Sequence, residues 1–119
     1  MTNSYLINCQ YGSEDVEKAT VAMIVAGAAA AMDGETAMFL TCESVRLATK
    51  GGVDGLAQEG YPALSELLEG LLENSGKLWV CPACAGARGI TADDLIDGAE
   101  IAGAARTIGF VNDGAKLLM

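Results

Sequence analysis

Residues 77–89 read Lys77-Leu78-Trp79-Val80-Cys81-Pro82-Ala83-Cys84-Ala85-Gly86-Ala87-Arg88-Gly89. The apolar run before Cys81 predicts a short buried strand, and the proline and small residues after it predict a turn that starts a helix. Because α/β proteins place their chemistry where parallel strands end, a thiol at this point indicates a functional site. The stretch therefore predicts an α/β fold with sulfur chemistry at one edge of its sheet.

The pair Cys81 and Cys84 has a spacing that suits three kinds of sulfur chemistry. The thiolate is the reactive form of cysteine, and free backbone N–H groups at the start of a helix lower the pKa of a thiol. Pro82 has a fixed φ and no N–H, so it can stiffen the turn and keep both sulfurs within reach of one another. The spacing alone leaves disulfide exchange, metal binding and persulfide carriage open.

Strands and helices are predicted to alternate along the rest of the chain. Five strands span residues 5–9, 36–41, 77–80, 99–101 and 116–119. Helical patterns cover 13–32, 45–48, a leucine-rich segment that opens at Pro62, a short turn at Asp93-Asp94, and 102–112, with a loop at 50–55. Ser13 is the expected N-cap of the first helix, which Asp33-Gly34 ends. Strands joined by helices form a mainly parallel sheet that is covered on both faces.

Three of the four cysteines close a predicted strand. Cys9, Cys42 and Cys81 are therefore expected at the same edge of the sheet, with Cys84 one turn beyond. For Cys9 and Cys42 the alternative is that each serves as a small buried hydrophobic residue. A zinc site would need all four thiols to converge, whereas structural zinc sites more often use two closely spaced pairs, so no metal is predicted.

Arg88 follows Cys84 by four positions, which puts the two side chains on the same face of a helix. Its guanidinium could stabilise a thiolate or a persulfide anion. The alternative is a surface arginine paired with Asp93 or Asp94. Two charged residues just past Cys42 could reach the same edge, although a solvated helix face is the expected place for Glu43 and Arg46.

Length and composition limit the class of protein. A chain of 119 residues predicts one domain over 1–119, large enough to bury a core without disulfides. With 16 acidic and 7 basic residues, a net charge of −9 and no basic cluster, no nucleic-acid partner is expected. The absence of histidine excludes Cys–His and Ser–His dyads. No glycine-rich phosphate loop follows the first strand, so no cofactor is predicted.

The location and assembly of the chain are predicted from its apolar segments. The first residues lack the features of a secretory signal, and residues 19–32 are too short and too rich in small side chains to span a bilayer. We therefore predict a cytoplasmic protein with reduced thiols and no membrane contact. The helix over 13–32 is apolar nearly all round, which predicts burial against the sheet and against a neighbouring helix or subunit. A closed homo-oligomer, a trimer or a hexamer, is expected.

Residues 80–91, Val80-Cys81-Pro82-Ala83-Cys84-Ala85-Gly86-Ala87-Arg88-Gly89-Ile90-Thr91, resemble the DsrE/DsrF-like family of small sulfur-trafficking proteins. The resemblance continues through Asp94-Leu95-Ile96 and Ala99-Glu100-Ile101-Ala102-Gly103-Ala104-Ala105, and it covers essentially the whole chain. It implies a three-layer α/β/α domain that assembles into trimers, hexamers or mixed complexes. It also implies that the strand-end cysteine, here Cys81, accepts sulfane sulfur as a persulfide. Cys84 is not part of the minimal family pattern.

Three functions are consistent with these residues. The first is a sulfurtransferase-type carrier in which Cys81 takes sulfane sulfur from a donor protein and passes it to an acceptor. The second is a thiol-disulfide oxidoreductase or redox switch that uses Cys81 and Cys84. The third is an oligomeric scaffold or sensor whose thiols are incidental. The predicted catalytic residues are Cys81 and Cys84, and supporting roles are predicted for Arg88, Cys9 and Cys42.

Overall fold

A computed structural model describes residues 3–32 and 34–119 of the chain. Five strands form one sheet: β1 (Ser4–Cys9), β2 (Glu35–Leu40), β3 (Lys77–Val80), β4 (Ala99–Ile101) and β5 (Lys116–Leu118). Their order across the sheet is β4-β3-β2-β1-β5, and every neighbouring pair is parallel. The predicted α/β fold with a five-stranded parallel sheet is confirmed.

Among the residues that the structure describes, four α-helices and two 3₁₀ helices connect the strands. The α-helices are α1 (Val16–Ala31), α2 (Leu64–Glu73), α3 (Pro82–Ala87) and α4 (Ala104–Asn112). The first 3₁₀ helix (Cys42–Ala48) follows β2, and the second (Ala92–Asp94) precedes β4. Within the described residues, no helix combines the length and the hydropathy that crossing a membrane requires.

The main hydrophobic core lies between the sheet and the helix pair α1 and α2. The small residues Ala19, Ala22 and Ala26 of α1 are buried, which allows its backbone to approach the sheet closely. The leucine stripe of α2 contributes Leu64 and Leu71, both fully buried. Most of the apolar surface of α1 is therefore covered within the chain, by the sheet and by α2, while Ile24 and the C-cap residue Met32 are exposed.

The opposite face of the sheet carries α4 and a second, smaller core. Trp79 is 4% exposed, and its ring meets Phe110 of α4 edge to face, with centroids 5.1 Å apart. The guanidinium of Arg106 lies 5.6 Å from the centroid of the same indole ring. Because helices cover both faces of the sheet, the domain has the three layers α/β/α that the sequence predicts.

Several element boundaries differ from the prediction. The N-cap of α1 is Asp15, whose carboxylate accepts a hydrogen bond from the Lys18 amide, because Ser13 lies in a turn closed by the Asp15 amide and the Gly12 carbonyl. Likewise, α4 begins two residues late because the Ala102 amide still bonds the Val80 carbonyl of the sheet, at 3.0 Å. The predicted helix end at Asp33 lies outside the described residues.

Exposed apolar side chains lie on the α4 side of the sheet as well as on α1, where Ile24 is 37% exposed and Met32, the residue after the helix, is 81% exposed. Ile108, Val111 and Leu117 are 59%, 42% and 61% exposed. Ile108 and Val111 line a shallow cavity with Leu6, which pairs in register with Leu117. These four residues form what we call the α4 apolar face.

Candidate functional site

Parallel strands bring three of the four cysteines to one edge of the sheet. β1, β2 and β3 are neighbours, and Cys9, Cys42 and Cys81 lie at or just beyond their carboxyl ends. Backbone hydrogen bonds continue past the strands, from the Thr41 amide to the Cys9 carbonyl and from the Cys81 amide to the Leu40 carbonyl, both 3.0 Å. The cysteine-bearing turns are thus fixed to one another.

Cys81 lies where the connections that follow two neighbouring strands, β3 and β4, leave the sheet toward opposite faces. β3 leads into α3, whose Ala85 is buried in the core beneath α1 and α2. β4, the neighbour of β3, leads instead into α4 on the other face. A side chain added at Gly103, before α4, would lie 3.3 Å from the Pro82 ring, so the two turns touch. Ligand sites of open α/β sheets form in the crevice at such a switch point.

The turn after β3 presents two thiols on one face of α3. Cys81 is the N-cap residue, and in the described part of the chain its thiol makes no capping hydrogen bond. The Ala85 amide donates to the Cys81 carbonyl at 2.9 Å, which closes the first turn. Cys84 lies three positions after Cys81, on the same side of the helix. Both thiols are half-buried, and all four cysteines, each within the described residues, are free.

A partly exposed ion pair joins α3 to the first 3₁₀ helix. Arg88 Nε donates to Glu43 Oε1 at 2.7 Å, and Arg88 Nη1 donates to the Cys84 carbonyl at 3.2 Å. Arg46 Nε donates to the other Glu43 oxygen at 3.0 Å. Arg88 therefore pairs with Glu43 and not with Asp93 or Asp94, the partners considered from the sequence.

The charges of Arg88 and Arg46 act on Glu43, and the charge of Glu43 acts on Arg88. The hydrogen bond from Arg88, followed by the interactions with Arg46, lowers the pKa of Glu43, so its carboxylate is ionised under physiological conditions. The same bond raises the pKa of Arg88, with smaller contributions from the charges of Cys84 and Cys42. The guanidinium is thus within electrostatic range of two thiols, one on each element.

The two remaining cysteines have opposite environments. Cys42 is exposed and begins the first 3₁₀ helix with φ of 55°, a left-handed conformation that is uncommon outside glycine. Cys9 is 2% exposed, donates its S–H to the Tyr11 carbonyl, and has its pKa raised by burial. The alternative of a small buried hydrophobic residue therefore describes Cys9 and does not describe Cys42.

Ser44 is a positioning residue for which the sequence carries no signal. It is fully buried, and its hydroxyl contacts the carbonyl oxygens of Cys9 and Thr41, both at 2.6 Å. These contacts tie the start of the first 3₁₀ helix to the ends of β1 and β2. Cys42 and Glu43 are held by this anchor.

A family model described as DsrE/DsrF-like matches residues 3–119. The chain belongs to the DsrE/DsrF-like family. This family is of the sulfur-relay type. The crystal structure of the ychN protein from E. coli has the same fold, with a TM-score of 0.73, 22% sequence identity, and coverage of 100% of this chain and 98% of that one.

A curated relative extends the comparison to a longer protein. An uncharacterized protein of Methanocaldococcus jannaschii is 32% identical over 108 residues, which are 91% of this chain. The chain spans 39% of the length of that relative. The DsrE/DsrF-like domain thus matches only a part of this longer protein.

The chemistry available at this DsrE/DsrF-like site is that of thiols beside the Arg88–Glu43 ion pair. Among residues 3–32 and 34–119, no group of three or more cysteine, aspartate or glutamate side chains is arranged to hold a metal ion. Cys42, Cys81, Cys84 and the Arg88–Glu43 pair, which we call the thiol cluster, surround the junction of α3 and the first 3₁₀ helix. Such a group can form, hold and exchange bonds between sulfur atoms.

Proposed function

We propose that this chain is a sulfur-trafficking protein that carries sulfane sulfur as a persulfide on Cys81 and passes it to a partner protein. The observation that supports the proposal is the position of Cys81, a half-buried free thiol at the switch point of the sheet and at the start of α3. Membership of a sulfur-relay-type family gives this position its chemical context.

Loading of Cys81 needs no oxidant. The Cys81 thiolate attacks the terminal sulfur of a donor persulfide, a new S–S bond forms, and the donor cysteine leaves as a thiolate. The sulfane sulfur keeps its oxidation state. A half-buried site limits access of small thiols that would strip the sulfur, while Arg88, a permanent cation, lies on the same face of α3 and favours an anionic product.

The test is to load the reduced protein and locate the added sulfur. Protein is incubated briefly with inorganic polysulfide, desalted, and weighed intact by mass spectrometry. We expect a mass gain of one sulfur atom, and after alkylation and digestion we expect it on the peptide that contains Cys81. A protein that gains no sulfur at Cys81 would contradict the proposal.

Disulfide exchange between Cys81 and Cys84 is the second candidate. One observation favours it: the two thiols are half-buried neighbours on the same face of α3. In this reaction the Cys81 thiolate attacks a substrate disulfide, and Cys84 then resolves the mixed disulfide. The chain would gain no sulfur atom but would lose two hydrogens.

We further propose that the chain forms a homotrimer or homohexamer. The sheet and α2 cover most of α1, which motivated this expectation, so the main supporting surface is the α4 apolar face, where Ile108 and Leu117 are about 60% exposed. Light scattering at micromolar concentration is expected to report a trimer or a hexamer, and Ile108→Glu is expected to dissociate it. A monomeric wild-type protein would contradict this.

A further inference from the structure

We propose that Cys42 is the outlet of the site, the residue to which Cys81 transfers its sulfane sulfur before that sulfur leaves the protein. This inference rests on the proposed persulfide on Cys81. It assigns a modification site to Cys42, which follows β2 and lies outside the Cys81–Cys84 pair. Three features of the thiol cluster carry it: proximity, a shared cation, and a gradient of exposure.

Proximity follows from the strand register. Leu40 of β2 pairs with Val80 of β3, and the Cys81 amide donates to the Leu40 carbonyl at 3.0 Å. The backbones that leave β2 and β3 are therefore still adjacent where the turn at Cys81 begins. Neighbouring strands lie about 4.8 Å apart, and one further residue adds at most about 3.8 Å. The Cα atoms of Cys42 and Cys81 are therefore within roughly 9 Å. A persulfide lengthens the reach of Cys81 by one S–S bond of about 2 Å.

The shared cation is Arg88. Cys81, Cys84 and Arg88 lie along one face of α3, and the bond from Arg88 to Glu43 holds that face against the start of the first 3₁₀ helix. Cys42 immediately precedes Glu43, and its charge acts on Arg88. Cys42 thus lies near the guanidinium whose Nη1 contacts the Cys84 carbonyl, and a cation at this position lowers the repulsion between two anionic sulfurs.

The gradient of exposure sets the direction of transfer. Cys81 is half-buried, whereas Cys42 is exposed. An acceptor protein can approach the sulfur on Cys42 without entering the crevice at the end of β3. Sulfur that moves from Cys81 to Cys42 therefore moves from a protected position to one from which a partner can take it.

The transfer balances without a co-reactant. The Cys42 thiol loses its proton to water, and the resulting thiolate attacks the terminal sulfur of the Cys81 persulfide. The bond between Cys42 and the sulfane sulfur forms as the bond from that sulfur to Cys81 breaks. Cys81 leaves as a thiolate with the electron pair of the broken bond and takes up a proton, so its sulfur is reduced by as much as the Cys42 sulfur is oxidised, and the sulfane sulfur keeps its oxidation state.

A pulse-chase experiment tests the assignment on the whole chain. Reduced protein receives a brief pulse of inorganic polysulfide, is desalted, and is alkylated after increasing times, and the added sulfur on each cysteine peptide is measured. In the wild type we expect the label on the Cys42 peptide to grow as that on the Cys81 peptide falls, at a rate that does not depend on protein concentration. In Cys42→Ser we expect Cys81 to load as before and to retain its sulfur.

Three other outcomes would contradict the outlet role of Cys42. If Cys81 loads but the Cys42 label does not grow after desalting, the outlet role is wrong and the persulfide on Cys81 stands. If Cys81→Ser shows the same growth on Cys42 as the wild type, Cys42 is not supplied by Cys81 and the outlet role is again wrong. If Cys81 never loads, both proposals fail. Cys9→Ala is the matched control, because Cys9 lies in the core, and it is expected to transfer sulfur like the wild type.

Discussion

Serine in place of Cys81 is expected to lower the rate of persulfide loading by about 100-fold or more, because a hydroxyl cannot replace the thiolate as nucleophile. The side chain is half-buried and its thiol makes no capping bond in the described residues, so serine fits the same position without removing a structural contact. The loss therefore reports chemistry and not folding. Intact mass after a polysulfide pulse measures it, and circular dichroism checks the fold.

The same measurement separates the two candidate functions. A sulfur carrier keeps its gain of one sulfur atom in Cys84→Ser, since Cys84 is not needed to form the persulfide on Cys81. A thiol-disulfide oxidoreductase instead accumulates mixed disulfides in that variant, because no second thiol resolves them. Unchanged loading in Cys81→Ser would exclude the persulfide on Cys81. Failure of the wild-type protein to react with either a persulfide or a disulfide substrate would leave the scaffold function.

Alanine in place of Gly52 is expected to destabilise the fold by about 3 kcal/mol and to lower Tm by roughly 10 °C. A Cβ at this position would overlap the Arg46 carbonyl oxygen and would lie 2.6 Å from Thr49 Oγ1. That carbonyl already accepts hydrogen bonds from the amide and the hydroxyl of Thr49. Because the obstacle is backbone, it cannot swing aside as a long side chain would.

A second glycine supplies the matched control. Gly70 lies inside α2, and a Cβ there would meet no atom of the described residues within 4 Å. Gly70→Ala should therefore stabilise the protein by about 0.5–1 kcal/mol, the gain in helix propensity. Thermal or urea unfolding measures both variants. A Gly52→Ala protein as stable as Gly70→Ala would show that the loop after the first 3₁₀ helix adapts, contrary to the close packing described.

Much of the fold could be predicted because its signals are local. The strand over Lys77–Val80 was predicted at its true bounds, since an apolar run ends at a proline and a lysine precedes it. The buried stripe of α2 follows from leucines at helical spacing. The position of Cys81 at a sheet edge follows from the same alternation of strands and helices.

The parts that could not be predicted depend on contacts between distant residues. The bond from Arg88 to Glu43 joins residues 45 positions apart, whereas the partners considered from the sequence, Asp93 and Asp94, are close to Arg88 along the chain. Likewise, Cys9 and Cys42 follow strands in similar contexts, and only the packed structure shows that one is buried and the other is exposed. The sequence around these residues indicates neither the Arg88–Glu43 bond nor the difference in burial between Cys9 and Cys42.

The outer strands of the sheet have a consequence for aggregation. β4 and β5 each contain three residues, so each edge of the sheet presents only a few unpaired backbone groups. Long, flat edges are templates for the addition of foreign strands, and short edges remove that template. Lys116 adds an exposed charge to one of them. The growth of fibres by strand addition is therefore disfavoured at both edges of the sheet.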